Sequence, residues 1–174
     1  MSAPLQTLAT CGVPLLMTGA HALLAHGCPR DLADVDCECA IDAADEAGIG
    51  TDLSLNGWNA VYRTPFFAKF RLLSTGTPVI KVLFLDATTF AKLRGDSFDF
   101  VFEGVALRVP ALIHVVAMRL QIVKNERERE AEDLPDVLAL LRANSGKWKP
   151  EELEGACRRF GPPGIYTRIT RGLA

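Results

Sequence analysis

The chain has 174 residues, of which 49% are hydrophobic and 23% are charged, and this composition excludes intrinsic disorder. A chain of this length is expected to form one domain with enough buried surface for its own core. The formal net charge of -2 argues against broad electrostatic binding to nucleic acids or acidic membranes.

The N-terminus and the cysteines indicate the compartment. No basic segment opens the chain, and the apolar residues 13–17 are too few to span a bilayer. The five cysteines are odd in number and scattered, which favours reduced thiols over a disulfide framework. Cys37 and Cys39, with His21 and His26 upstream, lack the spacing of a closed zinc site, so buried thiols are the better interpretation. We therefore expect a soluble, cytoplasmic protein.

The first predicted elements are a strand over residues 13–17 and a short helix over residues 20–26, which Gly27 ends. Residues 34–41 predict a strand that carries Asp34, Asp36, Glu38 and Ala40 on one face, because strand side chains alternate. A helical turn follows at residues 43–47. A glycine-rich loop is then predicted at Gly48 and Gly50.

The middle of the chain is rich in β-structure and the end is helical. The predicted strands are residues 58–63, 67–73, 79–85, 98–102 and 105–109. The predicted helices are residues 111–122, a second one with Leu134, Val137, Leu138 and Leu141 on one face, and a third over residues 148–160. The pattern predicts an α/β (α+β) fold, with a mixed β-sheet flanked by helices. We expect a core of residues 1–109 and a helical segment of residues 110–174 packed on it, as a single compact domain.

Three features that suit phosphate and metal chemistry lie close together in the first third of the chain. Gly19 stands between a strand and a helix, where a backbone without a side chain can approach a phosphate. Arg30 lies in the following loop and can fork onto phosphate oxygens. Asp34 and Asp36 stand at positions i and i+2 of a strand, with Cα atoms about 6.5 Å apart. That separation suits a pair of magnesium ions.

These residues carry a resemblance to a known family. Residues 19–27 (Gly-Ala-His-Ala-Leu-Leu-Ala-His-Gly), Arg30 and Asp34-Val35-Asp36 resemble the signature of minimal nucleotidyltransferases, G-[GS]-x-A-x-x-x-H-G, an arginine, then D-x-D. This group of the DNA polymerase beta superfamily includes AbiEii-like and aminoglycoside nucleotidyltransferase-like proteins. Residues 133–137 (Asp-Leu-Pro-Asp-Val) resemble a later D-L-x-D-[IV] segment of the same group.

The resemblance implies roles for individual residues. Asp34 and Asp36 would be the catalytic carboxylates and would bind Mg²⁺. Gly19 and Ala20 would contact a nucleoside triphosphate, and Arg30 and Arg119 would neutralise its phosphates. The implied reaction transfers a nucleotidyl group from the triphosphate to an acceptor that the sequence does not identify.

One position departs from the family pattern. Active members carry a third acid on the strand after the hairpin, and Lys81 stands there instead. A lysine would repel a metal cation. It is either a phosphate-binding cation that replaces one metal, or a lysine that extends from a sheet edge to solvent. Asp86 lies five residues later and faces the opposite side unless a β-bulge reverses the strand.

Three functions follow from these observations. The first is a magnesium-dependent nucleotidyltransferase, and the second is a catalytically degenerate member, a pseudoenzyme, that binds a nucleotide or another ligand. The third is a protein-interaction module that keeps only the fold. We expect no membrane association and no extended nucleic-acid surface. An acid within metal reach of Asp34 and Asp36 would favour the first function, Lys81 pointing into that pocket would favour the second, and a filled or absent pocket would favour the third.

Overall fold

The computed structural model describes residues 2–32, 36–77 and 79–174, and these form two compact units. The first unit comprises the chain up to Ala22 together with Arg30–Pro110. The second comprises Leu23–Pro29 and Ala111–Ala174. None of the helices in the described residues is long and apolar enough to cross a membrane.

The first unit is built on a five-stranded mixed sheet in the order β1-β2-β5-β4-β3. Strands β2 and β5 are parallel, and the other neighbouring pairs are antiparallel. The strands are β1 Leu16–Met17, β2 Cys37–Asp42, β3 Trp58–Arg63, β4 Phe67–Leu72 and β5 Val79–Leu85. A separate hairpin consists of β6 Phe98–Phe102 and β7 Val105–Val109. The predicted mixed sheet is therefore confirmed.

Alternation of side chains gives the sheet a core face and an open face. Along β5, Ile80, Val82 and Phe84 are buried, while the residues between them are only partly covered. The register places Cys37 beside Ile80, so the buried cysteines of β2 lie on the same core face. The open face therefore carries the intervening residues of β2 and β5.

The helices of the first unit include three that differ from the sequence prediction or were missed by it. They are α1 Ala3–Thr10, α3 Glu46–Leu55 and α4 Ala87–Gly95. The predicted loop at Gly48 and Gly50 is wrong, because both glycines lie inside α3, which buries Ile49 and Leu53 on one face. Helix α1 is tied to β3 by a hydrogen bond of 3.1 Å from Trp58 Nε1 to Thr7 Oγ1.

Two strands near the predicted site have bounds that differ from the sequence prediction. The strand predicted over residues 34–41 begins at Cys37 and ends at Asp42, so Asp36 precedes it. Asp34 lies outside the described residues. The strand predicted over residues 13–17 is reduced to Leu16–Met17. Helix α2, Gly19–Ala25, follows it directly, and the boundary between the two units falls inside this helix.

The second unit is helical. Its longer helices are α5 Leu112–Asn125, α6 Glu130–Ala143, α7 Pro150–Phe160 and α8 Ile165–Leu173. The polar run after Lys124 interrupts the helical region, since a short 3₁₀ turn separates α5 from α6. Within this unit Asn144 Nδ2 donates a hydrogen bond of 2.7 Å to the carbonyl oxygen of His26. That bond connects the end of α6 to the segment that follows α2.

Candidate nucleotide site

Gly19 lies directly against strand β2. Its φ of +59° is in the left-handed region that favours glycine. A Cβ at this position would lie 2.9 Å from Cβ of Glu38. The amide of the preceding residue, Thr18, donates a hydrogen bond of 2.8 Å to the carbonyl oxygen of Glu38. The start of α2 therefore approaches β2 as closely as only a glycine permits.

Glu38 is the acid at the centre of this site, and it is not among the site residues predicted from the sequence. Its Oε1 accepts a hydrogen bond of 3.2 Å from Thr18 Oγ1. Its Oε2 lies 3.2 Å from Lys81 Nζ, and both side chains are about a quarter exposed, 22% for Glu38 and 26% for Lys81. The signal was present in the sequence, because Glu38 continues the alternation of Asp34 and Asp36. Its pairing with Lys81 depends on the strand register, which the sequence does not display.

Lys81 lies on the open face, directly beside Glu38 in the parallel register of β2 and β5. Its Nζ also stands 5.1 Å from the ring centroid of Phe67. Strand β5 keeps an unbroken register as far as Leu85, so no bulge turns Asp86 towards this face. Asp86 instead caps α4, and its hydrogen bonds from the hydroxyl and amide of Thr89 hold its pKa below the ordinary value.

Asp36 is exposed and stands at the edge of the sheet where β2 and β5 begin. Its Oδ1 accepts a hydrogen bond of 2.9 Å from the amide of Val79, the first residue of β5. This contact fixes one carboxylate oxygen against the backbone. The other predicted metal ligand, Asp34, lies outside the described residues.

The remaining predicted ligand contacts fall in both units. Ala20 is partly buried in the first turn of α2, and Arg30 is exposed in the loop that follows this helix. Arg119 belongs to the helical unit, where its Nη1 lies 2.5 Å from Oδ1 of the buried Asp133. Its Nη2 lies 3.8 Å from Oδ2 of Asp136. Both ends of the Arg119 guanidinium therefore face carboxylates of its own unit.

The histidine and thiols near the site are buried on the core side. His21 is buried, its Nε2 lies 3.7 Å from Cys37 Sγ, and its Nδ1 has no hydrogen-bond partner among the described residues. Burial lowers the pKa of His21, with an opposing effect of Glu103. Burial raises the pKa of Cys37 to about 12, helped by the charges of Asp36 and Glu103. In the part of the chain that is described, no three side chains form a group able to hold a metal ion.

The charges that line the open face beside Gly19 nearly balance. Glu38 is paired with Lys81, so the acid closest to Gly19 carries no uncompensated charge. A pair of this kind lowers the repulsion that two bare carboxylates would exert on an anion. The arrangement therefore repels an anion less than an unpaired carboxylate at the same place would.

This chain resembles known proteins in structure. No family model and no curated protein matches the sequence. A solution structure of the antibiotic-resistance factor ANT(2'')-Ia matches 97% of this chain and 92% of its own, with a TM-score of 0.66 and 10% identity. The crystal structure of ANT(2'')-Ia in complex with adenylyl-2''-tobramycin gives a TM-score of 0.64 at 10% identity, over 98% of this chain and 94% of that one.

A third solved structure is similar in the same way. The lincomycin-bound lincosamide antibiotic adenylyltransferase LnuA has a TM-score of 0.55 at 10% identity, over 79% of this chain and 91% of its own. At such identities a likeness is one of fold. These comparisons, with the mixed sheet and its flanking helices, show that this chain has the nucleotidyltransferase fold.

Proposed function

We propose that this chain binds a nucleoside triphosphate on the open face of the sheet beside Gly19. The observation that carries the proposal is the ion pair of 3.2 Å between Lys81 and Glu38, next to Gly19, against which the Glu38 side chain packs. Gly19 and Ala20 would offer backbone contacts to the phosphates. Lys81 would share its charge between Glu38 and a phosphate oxygen, as an ammonium with three donors can.

The oxygen ligands at this site determine whether it fits magnesium. Mg²⁺ takes a near-octahedral set of oxygen ligands and usually keeps several waters. Among the described residues Asp36 offers an exposed carboxylate, but Glu38 is already bound to Lys81 and Thr18. An ammonium 3.2 Å from a carboxylate oxygen competes with a metal for that oxygen. The described donors therefore do not fit a two-metal centre, and we assign no step to a metal.

Nucleotidyl transfer is a second candidate, and the exposure of Asp36 favours it. The proteins similar in fold include ones named for adenylyl transfer to antibiotics. In this alternative Asp34 and Asp36 hold Mg²⁺, while Arg30 and Arg119 neutralise phosphate charge. The acceptor is unknown. If the site binds a protein instead of a nucleotide, both nucleotide binding and nucleotidyl transfer are wrong.

Calorimetric titration of ATP and GTP, with and without magnesium, tests the proposal. Besides the wild type, the variants are Lys81→Met, Glu38→Gln and Asp36→Asn. The control is Lys92→Gln, which removes an exposed lysine of α4. We expect metal-independent binding that Lys81→Met weakens by about tenfold or more, since it removes a charged hydrogen-bond donor. Glu38→Gln should tighten binding, because it frees Lys81 from its partner.

The outcomes separate the candidates. Binding that requires magnesium and disappears in Asp36→Asn would support nucleotidyl transfer and would justify a screen for acceptors. Failure of both nucleotides to bind under every condition would reject the two nucleotide candidates together. An equal affinity of Lys81→Met and the wild type would remove Lys81 from the site.

A further inference from the structure

A row of four side chains crosses the open face of the sheet at one level. The strand registers pair Glu38 with Lys81, Lys81 with Lys69, and Lys69 with Tyr62. Neighbouring strands lie about 4.8 Å apart, so the row extends about 14 Å from the Gly19 side towards the edge strand β3. The site described above therefore continues across β4.

Strand β4 adds two positive charges to the open face. Lys69 and Arg71 are both exposed, and they share the open face because they stand two residues apart. Neither forms an ion pair with the carboxylates of the described residues, in contrast to Lys81. The middle of the open face thus carries two cations that an anionic ligand would complement.

Two aromatic rings stand beside these cations. Tyr62 is 54% exposed, and its ring centroid lies 5.6 Å from that of Phe67 with an interplanar angle of 33°. Phe67 precedes Lys69 by two residues on β4 and so lies on the same face. A β-bulge between Ala60 and Tyr62 sets the register that brings the tyrosine next to Lys69. The Tyr62 ring, at this exposure, offers a surface on which a planar group can stack.

We propose that β4 forms a second subsite, in which Lys69 and Arg71 bind an anionic group and Tyr62, packed against Phe67, receives a planar ring. The ligand class is then a phosphorylated aromatic small molecule, of which a nucleotide is one, and a polycation such as tobramycin is disfavoured. This inference rests on the proposed function, because it places the same ligand across the open face. It differs from that function in assigning ligand contacts to β4, which no motif of the sequence indicated.

Four probes test the subsite on the full chain: ATP, inorganic tripolyphosphate, adenosine and tobramycin. The variants are Lys69→Gln and Tyr62→Ala, and Lys147→Gln is the control, an exposed lysine of the helical unit. Lys69→Gln should weaken the binding of ATP and of tripolyphosphate by about threefold to tenfold. Tyr62→Ala should weaken ATP and leave tripolyphosphate unchanged, since only ATP has a ring to stack. Tobramycin should not bind, and adenosine should bind more weakly than ATP.

The outcomes distinguish the subsite from the site beside Gly19. ATP binding that depends on Lys81 but not on Lys69 or Tyr62 overturns the subsite and leaves the proposed function intact. If tripolyphosphate binds in a way that depends on Lys69 but ATP does not bind, the anion contact of Lys69 is supported. The ring contact of Tyr62 is then rejected. Binding of tobramycin in preference to ATP, or no binding of any probe, overturns the inference. Both variants replace exposed side chains, and a far-ultraviolet circular dichroism spectrum will show whether they remain folded.

Discussion

Arg119 holds the fully buried carboxylate of Asp133 at 2.5 Å, and Arg129 reaches the other oxygen of the same carboxylate at 3.1 Å. Asp133 has no exposed surface, so its charge depends on these two guanidinium groups. Removal of a buried ionic partner leaves an uncompensated charge and costs about 3–5 kcal/mol. We expect Asp133→Ala to lower the free energy of unfolding in urea by that amount.

The matched control for that change is Glu132→Ala. Glu132 also pairs with Arg129, at 3.6 Å, but its side chain is 76% exposed. Exposed ion pairs contribute about 0–1 kcal/mol, so the midpoint in urea should hardly move. Equal losses in the two variants would show that burial of Asp133 is not what makes its pair important.

Gly19 should not tolerate a side chain, whereas Gly50 should. Gly19→Ala combines a positive φ with an approach of 2.9 Å to Glu38, and we expect it to destabilise the protein by about 2–4 kcal/mol. A Cβ at Gly50 meets no atom within 4 Å, and the residue lies inside α3. Gly50→Ala should therefore stabilise the protein by about 0.5–1 kcal/mol. Thermal unfolding of both variants measures the contrast, and a stabilised Gly19→Ala would contradict the close approach of α2 to β2.

His21 should make the stability depend on pH. Burial lowers its pKa below the ordinary value of 6.5, so the unfolded chain binds its proton at a higher pH than the folded chain does. Stability should fall as the pH drops below about 6.5 and level off below the folded pKa, with a slope of at most about 1.4 kcal/mol per pH unit. Urea unfolding of the wild type and of His21→Phe across this range is the measurement. An unchanged slope in His21→Phe would assign the dependence to other groups.

The thiols should react slowly in the native protein. None of the five cysteines forms a disulfide, and burial raises the pKa of Cys11 and Cys157 to about 11 and that of Cys37 to about 12. The pKa of the fully buried Cys39 is also raised well above its ordinary value. Because the thiolate is the reactive form, a disulfide reagent in mildly alkaline buffer should label few thiols. Denaturant should expose all five, and rapid native labelling would contradict the burial described.

The strand positions followed from the sequence where alternation was clear. The bounds of β3, β5, β6 and β7 agree with the prediction to the residue, because each combines β-branched or aromatic residues with turn residues on either side. Helix α3 was not predicted, because Gly48 and Gly50 are typical of a loop. A Cβ at Gly48 would lie 2.9 Å from Cγ1 of Val13, so close packing explains one glycine that helix propensity disfavours.

The residues of the site were harder to predict from the sequence than the fold was. A motif, or a departure from one, marks Gly19, Asp36 and Lys81 in the sequence, but it does not reveal which residues lie beside them in the fold. Glu38 became relevant only through the parallel register of β2 and β5, which joins residues far apart in the chain. The register of β4 places Lys69 beside Lys81 in the same way. Alternation along a strand predicts the face on which a side chain lies, whereas the residue opposite it on a strand distant in sequence depends on how the whole sheet is paired.

The helical unit cannot be made from one continuous stretch of chain. Its segment Leu23–Pro29 is separated from Ala111–Ala174 by Arg30–Pro110, all of which belongs to the other unit. The hydrogen bond from Asn144 to His26 spans 118 positions, so its formation closes a long loop. On the ribosome the early segment emerges first and waits for its helices until most of the protein has been synthesised. A gene cut at Pro110 would therefore yield a C-terminal fragment that lacks part of its own core.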